Sequence, residues 1–204
     1  MRKRRASRRE VNRRIVVATE GPTERDYIKK LIGKDRYSNV SFAKQGGGDS
    51  DPDSVIRALD KAKERIAEKY DPNEEDEYWA VVDKDQWDLE SAAKQVRQKK
   101  YCLAESYPCF ELWLLLHFKQ LNELRGLEGK TSGGKCKPVM DVLKSKDPPY
   151  QKGKVTNKGY FDETKTIEAI SKAKNLDRKE TNHPLRGFGT RVYKLIESIR
   201  NSST

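Results

Sequence analysis

Between Arg14 and Lys119 the chain alternates short apolar, β-branched runs with longer segments whose apolar residues recur every three or four positions. An uninterrupted run such as Ile15-Val16-Val17-Ala18 fits a strand buried on both faces, and the longer segments fit amphipathic helices. The first run, RIVVATE, closes at Glu20-Gly21-Pro22; a helix follows, with Tyr27, Ile28, Leu31 and Ile32 at helical spacing and Gly33 as its stop. NVSFAK, from Asn39 to Lys44, alternates as a second strand, and QGGGDSD turns into a helix opened by Asp51-Pro52. EYWAVVD, ending on Asp83, is a third strand and YCLAES, Tyr101 to Ser106, a fourth. YPCFELWLLLHF reads as one strongly apolar helix. Strands and helices alternating in this way require crossover connections. The expected fold is α/β, a four-stranded, mostly parallel sheet with helices on both faces.

Beyond Leu121 the pattern changes. GLEGKTSGGKCKP and KDPPYQKGK read as loops, and helices are expected over Thr164 to Ala173 and Thr190 to Ile199. The predicted organisation is a basic arm over 1–13, an α/β core over 14–119, and a helical extension over 120–204 packed on the core.

No apolar run approaches the ~18 residues of a membrane span, and Cys109 to Phe118, the longest, contains Glu111. The basic start is not followed by the apolar stretch of a secretory signal. The expectation is a soluble, cytoplasmic protein with no membrane partner. The three cysteines, Cys102, Cys109 and Cys136, show no paired spacing, which gives no disulfide framework and no zinc motif; two of them flank a predicted strand end and read as core thiols.

The net charge of +11 is unevenly spread. Arg2, Lys3, Arg4, Arg5, Arg8, Arg9, Arg13 and Arg14 stand against Glu10 alone. Such an arm either solubilises the chain or contacts nucleic acid through counterion release. Lys152 and Lys154 lie in a second basic stretch with Lys130, Lys135, Lys137 and Lys158, interleaved with Tyr150 and Tyr160. That mixture suits single-stranded nucleic acid or a solvated surface. The Gly46-Gly47-Gly48 run lacks the lysine of a phosphate-binding loop.

In open α/β sheets, ligands gather beyond the carboxyl ends of the strands. Glu20 ends the first strand, Asp83 ends the third with Asp85 two residues on, and Glu24 lies one helical turn after Glu20. Converging carboxylates repel one another, and a hard divalent cation, Mg²⁺ or Mn²⁺, removes that cost. The alternative is that each acid is a plain turn residue or helix cap. Glu111, early in the apolar helix, is either an additional ligand at this edge or a carboxylate favoured by the helix dipole. His117 reads as a core-edge histidine.

Glu20 followed by Gly21, with Asp83-Lys84-Asp85 after the third strand, resembles the TOPRIM pattern of topoisomerases, primases and OLD-family nucleases; Glu24 matches the second glutamate of the OLD-like nucleases. TEGPTERDYI, VVDKDQW and ESYPCFELWLLLHF more closely resemble the RloB-like family. That resemblance implies a metal-dependent nuclease with Glu20, Asp83 and Asp85 catalytic and Glu20, Glu24, Asp83 and Asp85 holding the metal. It further implies an effector of prokaryotic anti-phage defence with an ABC/AAA-type ATPase partner. The alternative from the residues alone is a non-catalytic nucleic-acid-binding module with a structural Mg²⁺.

Overall fold

The computed structural model describes residues 13–33, 37–44, 51–71, 73–84, 89–131, 133–146, 148–177 and 183–202. Arg2, Lys3, Arg4, Arg5, Arg8, Arg9, Gly46, Gly47, Gly48 and Asp85 lie outside them.

The alternation is realised as β1 (Ile15–Thr19), α1 (Pro22–Ile32), β2 (Val40–Phe42), α2 (Pro52–Ala67), β3 (Glu77–Asp83), α3 (Leu89–Gln98) and β4 (Cys102–Tyr107). These four strands run parallel, with Val17 beside Phe42 and Trp79, and Asp83 beside Ser106. Because successive side chains leave a strand on opposite faces, Val16, Ala18, Ala80 and Val82 meet α2 and α3 through Val55, Leu59, Leu89 and Val96. Ile15, Val17 and Val81 face the other way and meet Tyr27 and Ile28 of α1. Helix starts follow local chemistry: the Asp51 carboxylate accepts from Ser54 N at 2.9 Å, and Pro22 and Pro52 occupy first-turn positions where no N–H is needed.

The sheet has five strands, not four, in the order β2-β1-β3-β4-β5. β5 (Gly189–Thr190) pairs antiparallel with β4, Ser106 beside Thr190 and Tyr107 beside Gly189. Two residues carry no readable period. What holds them is tertiary: the Ser106 and Thr190 hydroxyls lie 2.8 Å apart, and Arg191 N donates to Glu105 O at 2.7 Å.

The expected long apolar helix is instead a strand end, a corner and a short helix. Tyr107 still belongs to β4, the Tyr107–Pro108 peptide is cis, and α4 spans only Glu111–Leu116. All six α4 residues are buried. Two helices that the sequence reading did not expect, α5 (Leu121–Glu128) and α6 (Lys137–Lys144), flank the 126–138 stretch and overlap only its ends. A readable signal for α5 exists: Gln120 and Glu123 form a reciprocal capping box. α7 (Glu163–Leu176) and α8 (Val192–Asn201) complete eight α-helices among the described residues. Trp113, Leu115, Val139, Leu143, Ala173, Leu195 and Ile199 share one buried cluster with the β1 and β3 side chains, so α4, α6, α7 and α8 pack on the α1 face.

Cys109 and Cys136 form a disulfide with Cα atoms 5.7 Å apart, correcting the expectation of unpaired thiols, and Cys102 remains a free thiol. The pairing arises because the start of α6 docks against the β4–α4 corner, a proximity that spacing along the chain does not reveal.

Candidate active site

The chain leaves β1 for β2 on one side and returns over β1 to β3 on the other, with α1 and α2 on opposite faces. That reversal opens a crevice at the carboxyl ends of β1 and β3, the position where open α/β sheets bind ligands. Glu20 and Asp83 stand there. Glu20 N donates to Val81 O at 3.0 Å, extending the ladder, and its Oε2 accepts from Asp83 N at 3.0 Å. Lys84, between the two acids of the Asp-Lys-Asp stretch, donates its ammonium to Leu185 O at 2.6 Å.

Glu24, on the first turn of α1, is 5% exposed. Its Oε2 has no hydrogen-bond partner among the described residues. A Cβ at position 21 would lie 2.7 Å from that oxygen, so Gly21 is what lets the Glu24 side chain fold back toward the crevice. Burial pushes the Glu24 carboxyl up to about 7, a bond from its own backbone N–H pulls it down, the charges of Glu111 and Glu20 push it up further, and Lys152 opposes them.

Glu111 opens α4 and is 4% exposed. Its Oε1 accepts a short hydrogen bond from the Tyr150 hydroxyl, which also lies 3.3 Å from Thr23 Oγ1. The segment around Tyr150 is sewn onto α1: Gly153 N donates to Thr23 Oγ1 at 2.9 Å, Val155 N to Asp26 Oδ2 at 2.7 Å, and Lys30 Nζ to Val155 O at 3.0 Å. Gly153 turns the chain there at φ +83°, a left-handed conformation that glycine adopts without strain. Sequence reasoning grouped Tyr150 and Tyr160 with the lysines as a base-stacking surface. Both rings are buried, so that reading fails for the aromatics, while Lys130, Lys135, Lys137, Lys152, Lys154 and Lys158 are exposed.

Arg13 and Arg14, grouped with the basic arm in the sequence, lie at the opposite, amino edge of the sheet. Arg13 pairs with Glu77 at 2.8 Å, and Arg14 holds Asp76 through Nε at 2.9 Å. His117 is a core residue: Nδ1 donates to Trp113 O at 3.0 Å and burial lowers its pKa to about 4, so the ring is neutral.

One buried network went unread in the sequence. Glu105, fully buried on β4, accepts from Arg191 Nη1 at 2.8 Å and Leu185 N at 2.9 Å, while Arg191 also grips Asp177 through two bonds of 3.0 Å. A glutamate inside an apolar strand run was the available signal. The network ties the 183–191 segment to β4. A cavity of about 650 Å³, lined by Asp177, His183, Leu185, Phe188 and Arg191, lies on this side.

The acids at the crevice are all oxygen donors, and the orphaned Glu24 oxygen lacks a partner that a cation would supply, so the residues fit a hard divalent metal. Among the described residues no three of these carboxylates bring an oxygen each within 4.8 Å of one another.

Sheet order defines a doubly wound, Rossmann-like α/β protein, with Glu20 and Asp83 at the strand ends of its switch point. The model of the RloB-like protein family matches residues 15–199, and the chain belongs to that family. No curated protein and no solved structure matches it. No helix among the described residues is long and apolar enough to cross a membrane.

Proposed function

We propose that this protein is a metal-dependent phosphodiesterase of TOPRIM type that cleaves nucleic acid. The observation that carries the reading is the pairing of Glu20 with the main chain of Asp83 at the adjoining ends of β1 and β3, with the buried, unpartnered Glu24 oxygen on the turn that follows. Glu20, Glu24 and Asp83, with Asp85, would hold Mg²⁺ or Mn²⁺, and Glu111 lies close enough to act on Glu24 electrostatically. When bound, such a cation neutralises phosphate charge and makes water a better nucleophile. Glu20 holds the backbone N–H of Asp83 through Oε2, and in this reading its carboxylate would take or return a proton. Lys152 contributes positive charge beside Glu24, where a phosphate would approach.

The family resemblance supports a place in cytoplasmic anti-phage defence beside an ABC/AAA-type ATPase. A second reading, a nucleic-acid-binding module with a structural Mg²⁺, is favoured by the wide spacing of the carboxylates. Incubating supercoiled plasmid and total tRNA with the protein and Mg²⁺ or Mn²⁺, beside an Asp83→Ala, Asp85→Ala variant, separates the two. Cleavage confined to the wild type supports the enzyme. Salt-sensitive binding without turnover, with and without the ATPase, supports the module.

A further inference from the structure

Outside the carboxylate crevice, Cys109, Cys136 and Glu111 each bring one ligand atom to within 4.8 Å of the others. We propose that, with both cysteines reduced, these three residues bind a thiophilic divalent cation such as Zn²⁺, and that closing the Cys109–Cys136 disulfide abolishes the site.

The fold brings the donors together from two directions. Cys109 sits at the β4–α4 corner, where its carbonyl accepts from Leu112 N at 3.0 Å. Cys136 stands at the head of α6, its carbonyl accepting from Val139 N at 3.0 Å and Met140 N at 3.1 Å. Gly134 N, two residues earlier, is anchored on the Tyr107 hydroxyl at 3.3 Å. Cys136 Sγ lies 3.4 Å from Glu111 Oε2. A disulfide sulfur carries no hydrogen, so this contact is not a hydrogen bond, and Oε2 faces sulfur without a proton between them. The other oxygen, Oε1, is taken by Tyr150, which fixes the carboxylate with Oε2 toward the cysteines. An outer hydrogen bond of this kind is how proteins orient a metal-binding side chain.

Tetrahedral Zn²⁺ holds sulfur at about 2.3 Å and carboxylate oxygen at about 2.0–2.2 Å, which sets neighbouring ligand atoms roughly 3.3–3.8 Å apart. The Cys136–Glu111 contact already has that spacing. With Cα atoms 5.7 Å apart, the two sulfurs reach it by side-chain rotation once their bond is broken. Cys109 is 3% exposed and Cys136 is partly exposed, which leaves one side open to reagents and to a fourth ligand such as water. Two thiolates select a borderline-soft cation, whereas the crevice acids select a hard one.

The chemistry balances. Two equivalents of a low-molecular-weight thiol reduce the disulfide, yielding two cysteine thiols and the small disulfide. Zn²⁺ then displaces one proton from each thiol. A disulfide oxidant reverses the sequence, expelling the cation as the sulfurs rejoin. The proposal does not rest on the phosphodiesterase reading.

The test uses the full chain, stripped of metal by a chelator, reduced with a phosphine and titrated with Co²⁺ as a spectroscopic stand-in. The expected result is one equivalent of Co²⁺ with thiolate-to-cobalt charge-transfer absorption and tetrahedral d–d bands, displaced by Zn²⁺ and insensitive to excess Mg²⁺. Glutathione disulfide should abolish the signal and reductant restore it. Cys102→Ser should retain it, Cys109→Ser and Cys136→Ser should each lose it, and Glu111→Gln should keep sulfur absorption while weakening binding roughly tenfold or more. Circular dichroism on each variant verifies the fold. Absence of the charge-transfer band in the reduced wild type, or its persistence in Cys136→Ser, overturns the proposal. The band reports sulfur–metal bonding directly, so its failure leaves the carboxylate site untouched.

Discussion

The Glu20 carboxylate accepts the backbone N–H of Asp83 across 3.0 Å, so the acid that ends one strand fixes the main chain that carries the acid ending its neighbour. Glu20→Gln keeps a carbonyl oxygen for that bond and loses only the charge. Its stability should change by less than about 0.5 kcal/mol, while cleavage should fall on the order of 100-fold. Glu20→Ala should cost about 1 kcal/mol by removing the carboxylate that accepts from Asp83 N. Thermal melts beside plasmid and tRNA cleavage check both. Full cleavage by Glu20→Gln would remove this residue from the chemistry.

Glu24 makes the protein pH-sensitive in a defined direction. Its folded pKa, about 7, lies above the ordinary value of 4.5, so its contribution is fullest below 4.5 and is lost as pH rises through 7. The loss is at most about 3 kcal/mol. Urea denaturation from pH 4 to 8 without divalent ions should show this decline flattened in Glu24→Gln. Saturating Mg²⁺ should restore stability at high pH by mass action, and should bind more tightly as the proton leaves.

Gly21 separates fold from site. A Cβ there meets the far end of the Glu24 side chain at 2.7 Å and no backbone atom among its nearest contacts. Gly21→Ala should therefore fold, with a melting temperature close to wild type, because the Glu24 carboxylate can swing away. Divalent binding should weaken roughly tenfold or more as that oxygen leaves the crevice. Calorimetric Mn²⁺ titration of both proteins decides it, and equal affinities would place Glu24 outside the metal site.

Tyr150 links the C-terminal half of the chain to Glu111. Tyr150→Phe removes the donor from a carboxylate that is 4% exposed, and should cost about 1–3 kcal/mol. In a double-mutant cycle with Glu111→Gln the two losses should be strongly non-additive. Additive losses in urea denaturation would show that the bond contributes nothing.

The alternation of β-branched runs with helical periods was legible without coordinates, and with it the parallel strands and the placing of Glu20 and Asp83 at their ends. Those features depend on neighbours in the chain, because side-chain period and turn residues are local properties. The TEGPTERDYI and ESYPCFELWLLLHF stretches likewise pointed to the family that the match over residues 15–199 establishes.

Tertiary structure decided the rest. The two residues of β5 become a strand only because β4 offers an unpaired edge. Tyr150 meets Glu111 across 39 residues, Gly153 meets Thr23 across 130, and Arg191 meets Glu105 across 86. The Cys109–Cys136 bond spans 27. No local period encodes such pairs. They form because a chain that has collapsed around one apolar core must satisfy the polar groups it buries, and which partners are within reach is settled by how the helices dock.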